Sequence, residues 1–486
     1  MPGSALDDIL QSGDKPEPRT CVDGQRRATA AAGAVLEAVT ERQELMSLTR
    51  VRSGRVSFLA AAYSPRRPGA AASRCGLSMQ PGRTAEKAVH FITMRPLTCG
   101  VKGIAVLREH RILVVATVSD TLRAFLTPFA FHFRAQGWQV DALARGATSS
   151  DECLRAYDHV WEAAWSRKPT NLPGLVRGGQ QVRRIVLSEG YDLVHVHTPV
   201  AAFVTRFALR SIRRSGWPRV VYTAHGFHFY EGGSPVHNAL YLAIEKLAGR
   251  WTDYLVVINR QDEATAKRRR LVPPSRVCYM PGIGVDTELM RPGMVPQTRS
   301  RDLRRELGLA DTDHLLLMVA EFTPGKRHRD ALRAIARLAR PEIHLALAGT
   351  GPLLQATKRL ASELRIAQRV HFLGFRTDVA ELILASDATV LPSEREGLPR
   401  SVLESLSLGV PVIGTACRGT REVLSDGCGR LVNVGDVDGL AREMAWVIDH
   451  PSEASAMAER GRERALTYDI RRVIACHEDL YARALA

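Results

Sequence analysis

The chain has 486 residues, 45% of them hydrophobic, which exceeds one ordinary core and predicts two domains of roughly 150–200 residues with extra segments. Its 67 Lys and Arg against 51 Asp and Glu leave a net charge of +16, which calls for an acidic partner or surface, and nucleic acid, anionic lipid and phosphorylated substrates all qualify. The eight scattered cysteines read as free thiols in a reducing compartment with no zinc site, and the lack of any run of eighteen apolar residues, or of a signal peptide's basic-then-apolar order, confines membrane contact to a surface.

Residues 1–108 read as a low-complexity basic extension, expected to be disordered. Clusters such as Pro65-Arg66-Arg67-Pro68-Gly69-Ala70 interrupt any periodicity, and only Gly33–Leu48 could make a helix. The extension is either a basic arm for lipid or nucleic acid or sequence outside the working protein. Order begins at Arg111–Ala116, a short apolar β-rich run. A helical stretch from Leu122 to Gln136, kinked at Pro128, and a strand at Val140–Leu143 follow. This β-α-β unit opens a parallel sheet, and ligands of such sheets bind beyond the carboxyl ends of the strands, so residues 117–121 face a cleft. There is no G-x-G-x-x-G here, which argues against a dinucleotide fingerprint. Further strands are expected at 193–197, 219–223 and 254–258, with helices at 200–214 and 238–250. His225 follows the strand at 219–223 and precedes Gly226, which places it for substrate contact. Arg206, Arg210, Arg213 and Arg214, with the cluster at 267–270, form a candidate membrane-facing basic patch. The first domain is taken as 109–290 and the Pro- and Gly-containing segment 291–312 as a linker.

A second β/α series occupies 313–470, and 471–486 is expected as a helix able to cross back to the first domain. Lys326 sits after its first strand, where a lysine can neutralise phosphate as a point charge. Gly349 and Gly351 follow the next strand and allow close backbone approach to a ligand; Phe375 holds the same position one strand later, where backbone groups can hold a base ring. The most informative stretch runs from Ser393 to Gly414. It reads as a loop, a helix opened by Pro399 and stopped at Gly409, and a buried strand. Glu396 lies at the helix mouth and Glu404 inside the helix, with Gly397, Leu398, Arg400 and Ser401 offering backbone N–H groups between them. Such a site can hold an anion at the helix start and hydroxyls at both carboxylates, and a nucleotide sugar has those parts.

Taken together, Lys326, the run Arg395-Glu396-Gly397-Leu398-Pro399-Arg400-Ser401-Val402-Leu403-Glu404 and Gly409-Val410-Pro411-Val412-Ile413-Gly414 resemble the retaining family-4 glycosyltransferases of the GT-B fold. The likeness covers about 110–486. Arg418-Gly419-Thr420-Arg421-Glu422 continues it. His195-Val196-His197-Thr198-Pro199, Tyr222–Phe229, Asp253 and Pro281–Asp286 resemble the subgroup acting in capsule, exopolysaccharide and lipid-carrier-linked glycan assembly. The resemblance implies an α/β protein of two doubly wound, Rossmann-like domains, the first on the acceptor side and the second binding a nucleotide sugar. It implies a retaining, metal-independent hexosyl- or N-acetylhexosaminyl-transferase without cofactor, cytoplasmic and peripheral to the inner face of the membrane. The expected partners are a nucleotide-diphosphate sugar, a lipid-linked or growing-glycan acceptor and an anionic membrane surface, and no nucleic acid. By the same resemblance Glu404 holds the donor's ribose hydroxyls, Glu396 the transferred sugar's hydroxyls, Lys326 the diphosphate with Gly397 and Leu398 assisting, Pro399 completes the donor loop, and His225 sits near the reacting centre. One position departs from the family: an arginine is common where Glu321 stands, and Arg327, Arg395 or Arg400 are the candidates to replace its charge. A sugar-nucleotide epimerase of the same fold and a non-enzymatic basic binding protein remain alternatives.

Overall fold

The computed structural model describes residues 110–165, 171–230 and 232–486. The expectations for the extension 1–108, the Gly33–Leu48 helix and Cys21, Cys75 and Cys99 lie outside these residues. Glu109–Ala486 makes one compact unit.

Two wholly parallel sheets build it. The first runs β3-β2-β1-β4-β5-β6-β7, with β1 at Arg111–Val118, β2 at Gln139–Arg145, β3 at Val160–Glu162, β4 at Leu193–His197, β5 at Arg219–Ala224, β6 at Tyr254–Val257 and β7 at Val277–Tyr279. The second runs β10-β9-β8-β11-β12-β13, with β8 at His314–Val319, β9 at Ile343–Ala348, β10 at Val370–Gly374, β11 at Ala388–Leu391, β12 at Val412–Thr415 and β13 at Arg430–Val432. Helices between strands cover both faces, so the strands are apolar on both sides. In β1, Leu113 and Val115 join one core while Ile112, Val114 and Ala116 join the other. In β8, Leu316 and Met318 divide from Leu315 and Leu317 in the same way. This period of two, buried on each side, is why the strands read as continuous apolar runs.

Several expectations need correction. The helix expected from Leu122 starts at Ser119 and runs to Ala135, with a π-helical turn at Leu122–Leu126 and Pro128 in the first turn of the α-helical part Thr127–Ala135. The segment 291–312 is more than a linker: it holds the helix Gln297–Glu306, and Leu303 and Leu309 bury against the second sheet's core. The basic patch loses two members. Arg206 is 1% exposed, pairs with Glu245 at 3.2 Å and stacks over Tyr222, while Arg213 is bound to Asp253 and to the Trp251 carbonyl.

The last helix, Ile470–Leu485, returns to the first sheet, where Ile470, Val473, Leu480, Tyr481 and Ala484 join the core beside Phe129 and Phe133. The crossing is pinned by Asp469, whose backbone pairs with Val285 and whose carboxylate caps that helix through the Arg471 N–H at 2.8 Å. The core on one face of the first sheet therefore includes the chain's last helix.

Candidate functional site

In each sheet the strand order reverses once, between β1 and β4 and between β8 and β11. Ligands of open parallel sheets bind outside the carboxyl ends at such a reversal. Both reversal points open onto one cavity of about 580 Å³, lined from the first lobe by Thr198, His225 and Ile258 and from the second by Lys326, Glu396 and Glu404.

The second lobe's wall is two loops tied together. The Glu394 N–H donates to the Gly325 carbonyl at 2.8 Å, which sets the loop after β11 against the loop after β8. Lys326 Nζ then lies 2.5 Å from Glu396 Oε1, with Glu396 the more buried partner. Pro399 stands just before the helix Arg400–Ser407, and its carbonyl takes the Leu403 N–H. Glu404 lies one turn in, 8% exposed, its Oε1 accepting from Arg400 Nε at 2.8 Å. Burial raises the Glu404 carboxyl above its ordinary range, and the Arg400 guanidinium partly opposes that.

The two lobes meet backbone to backbone at Gly397. A Cβ there would stand 2.0 Å from the His225 carbonyl oxygen, and one at Gly419 would stand 2.0 Å from the oxygen of Gly397. The same Gly397 oxygen accepts from Asn259 Nδ2 at 3.2 Å, and Asn259 Oδ1 caps the helix Arg260–Arg268 through the Asp262 N–H. Asp262 in turn pairs with Arg418 of the second lobe at 2.7 Å, both side chains almost wholly buried, and Arg418 Nη2 donates to the Phe227 carbonyl at 2.8 Å. A pair so desolvated is held because each charge would be stranded without the other.

On the first lobe, His225 leaves the end of β5 and its Nε2 lies 3.1 Å from His197 Nδ1 at the end of β4. Burial, with the nearby His477 adding to it, depresses His225 to about 4, so the imidazole is neutral near pH 7. His195, two residues before His197, bonds Tyr481 Oη at 2.6 Å and Thr223 Oγ1 at 2.8 Å. Thr198 follows with φ of 64°, an unusual conformation for a β-branched residue, held by the Thr117 N–H at 3.0 Å on its Oγ1.

The cavity gathers His225, Lys326, Glu396, Gly397, Leu398, Pro399 and Glu404. Gly349, Gly351 and Phe375 are not among its lining. Gly349 and Gly351 have φ of 150° and 151°, and a Cβ on either would strike the backbone of Ala320 or Phe322, so they let the loop after β9 lie flat against the loop that carries Lys326. Phe375 is 62% exposed and faces Arg123 of the first lobe at 5.9 Å. Glu321 is exposed; of the three arginines considered for its missing charge, Arg395 and Arg400 line the cavity and Arg327 does not. The sequence motifs included Arg418 and Thr198 without giving either a role, and Asp262 and Asn259 were missed, because their place depends on contacts across the fold.

Comparison with known proteins agrees with this geometry. The "Glycosyl transferases group 1" family matches residues 299–464 and the "Glycosyl transferase 4-like domain" family matches residues 121–282. The "Putative glycosyltransferase EpsD" of Bacillus subtilis is 34% identical over 76% of this chain and 96% of its own length. The Escherichia coli "UDP-Gal:alpha-D-GlcNAc-diphosphoundecaprenol alpha-1,3-galactosyltransferase" is 28% identical over 55% of this chain and 68% of its own. Among solved structures, Anabaena HepE in complex with UDP and glucose superposes with a TM-score of 0.65 at 19% identity, covering 77% of this chain and all of that one. With both lobes matched by these families and a 34% identical relative covered almost end to end, the chain belongs to the family-4 glycosyltransferases of the GT-B fold.

Proposed function

We propose that this glycosyltransferase moves a hexosyl or N-acetylhexosaminyl residue from a nucleoside-diphosphate sugar to a lipid-linked or growing-glycan acceptor, with retention of anomeric configuration. The observation that carries the reading is the convergence of Lys326, Glu396 and Glu404 in one cavity at two strand-order reversals. In this reading Glu404 gives one oxygen to Arg400 and takes ribose hydroxyls with the other. The Lys326 ammonium has three donors; Glu396 takes one and the diphosphate the rest, with the Gly397 and Leu398 N–H groups assisting. Glu396 holds hydroxyls of the transferred sugar. His225, neutral, bonds the sugar without adding charge beside the anomeric carbon. The acceptor oxygen bonds the anomeric carbon as the carbon–oxygen bond to phosphate breaks, and the acceptor proton passes to the departing phosphate, so no side chain is required as base. Neither a cofactor nor a metal takes part in these steps.

A lipid-linked acceptor is supported by the Escherichia coli relative, named for a diphosphoundecaprenol substrate, and by the net charge of +16. Among the described residues no helix is long and apolar enough to cross a membrane. In this reading the lipid-linked acceptor brings the enzyme to the cytoplasmic surface of the membrane, without Arg206 or Arg213 as membrane contacts.

The test is a thermal-shift screen of UDP-, GDP- and ADP-sugars followed by transfer with the stabilising donor, the product's anomeric configuration read by NMR. One donor class should raise Tm, since a ligand bound only by the folded state stabilises it. An inverted product refutes retention, and free nucleoside diphosphate with no acceptor-dependent product points to the epimerase instead.

A further inference from the structure

Beside the transfer cavity lies a second one of about 380 Å³, and Arg395 and Arg418 line both. Among the described residues its charged lining is four arginines, Arg327, Arg395, Arg418 and Arg421, and one carboxylate, Glu394. Glu394 already accepts from Tyr230 Oη at 2.9 Å. Arg327 and Arg418 have carboxylate partners in Asp330 and Asp262, and Arg421 Nη2 donates to the Ala416 carbonyl at 2.6 Å. Arg395 is different. Its guanidinium lies 5.5 Å from the Tyr230 ring centroid, and among the described residues no carboxylate is within ion-pairing distance of it. Arg418, 8% exposed, also keeps a buried Nε with no hydrogen-bond partner. Guanidinium groups gathered in a concavity of net positive charge repel one another, and one without a carboxylate partner is costly to desolvate. An oxyanion relieves both costs, and planar guanidinium matches phosphate oxygens two at a time.

We propose that this arginine-lined cavity is the phosphate subsite of the acceptor, holding the diphosphate that joins the acceptor sugar to its carrier. The inference rests on the transferase reading above. There the donor's diphosphate belongs to Lys326, so a second phosphate group must come from the other substrate. Because Arg395 and Arg418 line both cavities, an acceptor with its phosphates among the arginines has its sugar end beside the transfer cavity.

Arg421→Gln and Gln261→Glu test this, since both residues line the second cavity only and both side chains are exposed. Each variant is compared with wild type on a diphosphate-linked sugar and on the same sugar as a simple alkyl glycoside. KM for the diphosphate-linked acceptor should rise about tenfold or more, the loss of roughly one charge-assisted bond. KM for the donor and for the alkyl glycoside should stay within about twofold of wild type. No change, or an equal change on both acceptors, overturns the proposal. Inorganic pyrophosphate, assayed at saturating donor so that the Lys326 site is filled, separates the sources of phosphate: inhibition competitive with the diphosphate-linked acceptor supports an acceptor subsite, and an effect independent of acceptor concentration overturns it in favour of a site for free phosphate. A binding measurement stands apart from catalysis. Pyrophosphate should still raise the Tm of Lys326→Ala, and adding Arg421→Gln or Gln261→Glu should abolish that rise. If wild type transfers no sugar, the transferase reading fails; loss of the pyrophosphate response at the arginines is decided separately, and its persistence in the double variants overturns the site.

Discussion

Glu404 is one carboxylate under two opposed influences. Burial favours its neutral form and Arg400, 2.8 Å away, favours the charged one, with burial the larger. In the proposed role the charged form accepts the ribose hydroxyls, so donor binding is lost as pH falls through the Glu404 value, which lies above that of a free glutamate. Arg400→Ala removes the opposing influence and raises that value further. The expected outcome is an acid limb in kcat/KM for the donor that moves to higher pH in Arg400→Ala, with the neutral-pH donor KM raised severalfold. Arg400→Lys restores part of the shift. An acid limb that stays in place when Arg400 is removed means that another group governs donor binding. The second glutamate, Glu396, is likewise paired with a cation, Lys326.

The loop after β11 shows how an element can be legible while its reason is not. Gly397 is absent from the glycines with left-handed φ, so alanine fits its own backbone. The obstacle is the His225 carbonyl, 2.0 Å from where the methyl would stand. Gly397→Ala should therefore leave each lobe folded, with Tm lower by a few degrees, while the lobes are pushed apart and activity falls about 100-fold. Circular dichroism with a transfer assay checks this, and an unchanged kcat/KM would show that the close approach is dispensable. The sequence carried the G-L-P loop, the helix from Arg400 and most strands, because buried parallel strands are short apolar runs bounded by turn residues. It did not carry β3 or β7, three-residue edge strands too short for a pattern. Nor did it carry the Asp262–Arg418 pair: the partners are 156 residues apart, and each alone looks like a charge on a solvated helix. Gly349 and Gly351 were visible as glycines, but their role in supporting the neighbouring loop depends on φ and on what lies across from them.

At the scale of the whole molecule, the returning C-terminal helix makes the fold sensitive to acid. It buries His477 and Tyr481 against the end of β4, so that His195, His197, His225 and His477 lie together with no carboxylate bonded to any of them among the described residues. All four are held below the ordinary histidine range by burial, His225 and His477 to about 4, and His228 and His328 elsewhere are depressed likewise. The sign follows from proton uptake. Between pH 6.5 and about 4 the unfolded chain binds protons that these native histidines refuse, so stability falls as pH falls through that window and is unaffected by them above it. A histidine depressed from 6.5 to about 4 contributes on the order of 3 kcal/mol across the window. Domain stabilities are about 5–15 kcal/mol, so a few such groups acting together are enough to unfold the chain before pH 4 is reached. Tm should thus be level from pH 8 to 7 and drop steeply below 6.5. His477→Gln removes one titrating group while keeping a polar side chain near the Val473 carbonyl, and should make that drop shallower even if Tm at pH 7.5 is lower. A Tm that holds level to pH 4.5 in wild type, or a slope unchanged by His477→Gln, would mean that these imidazoles take up their protons without leaving the folded state.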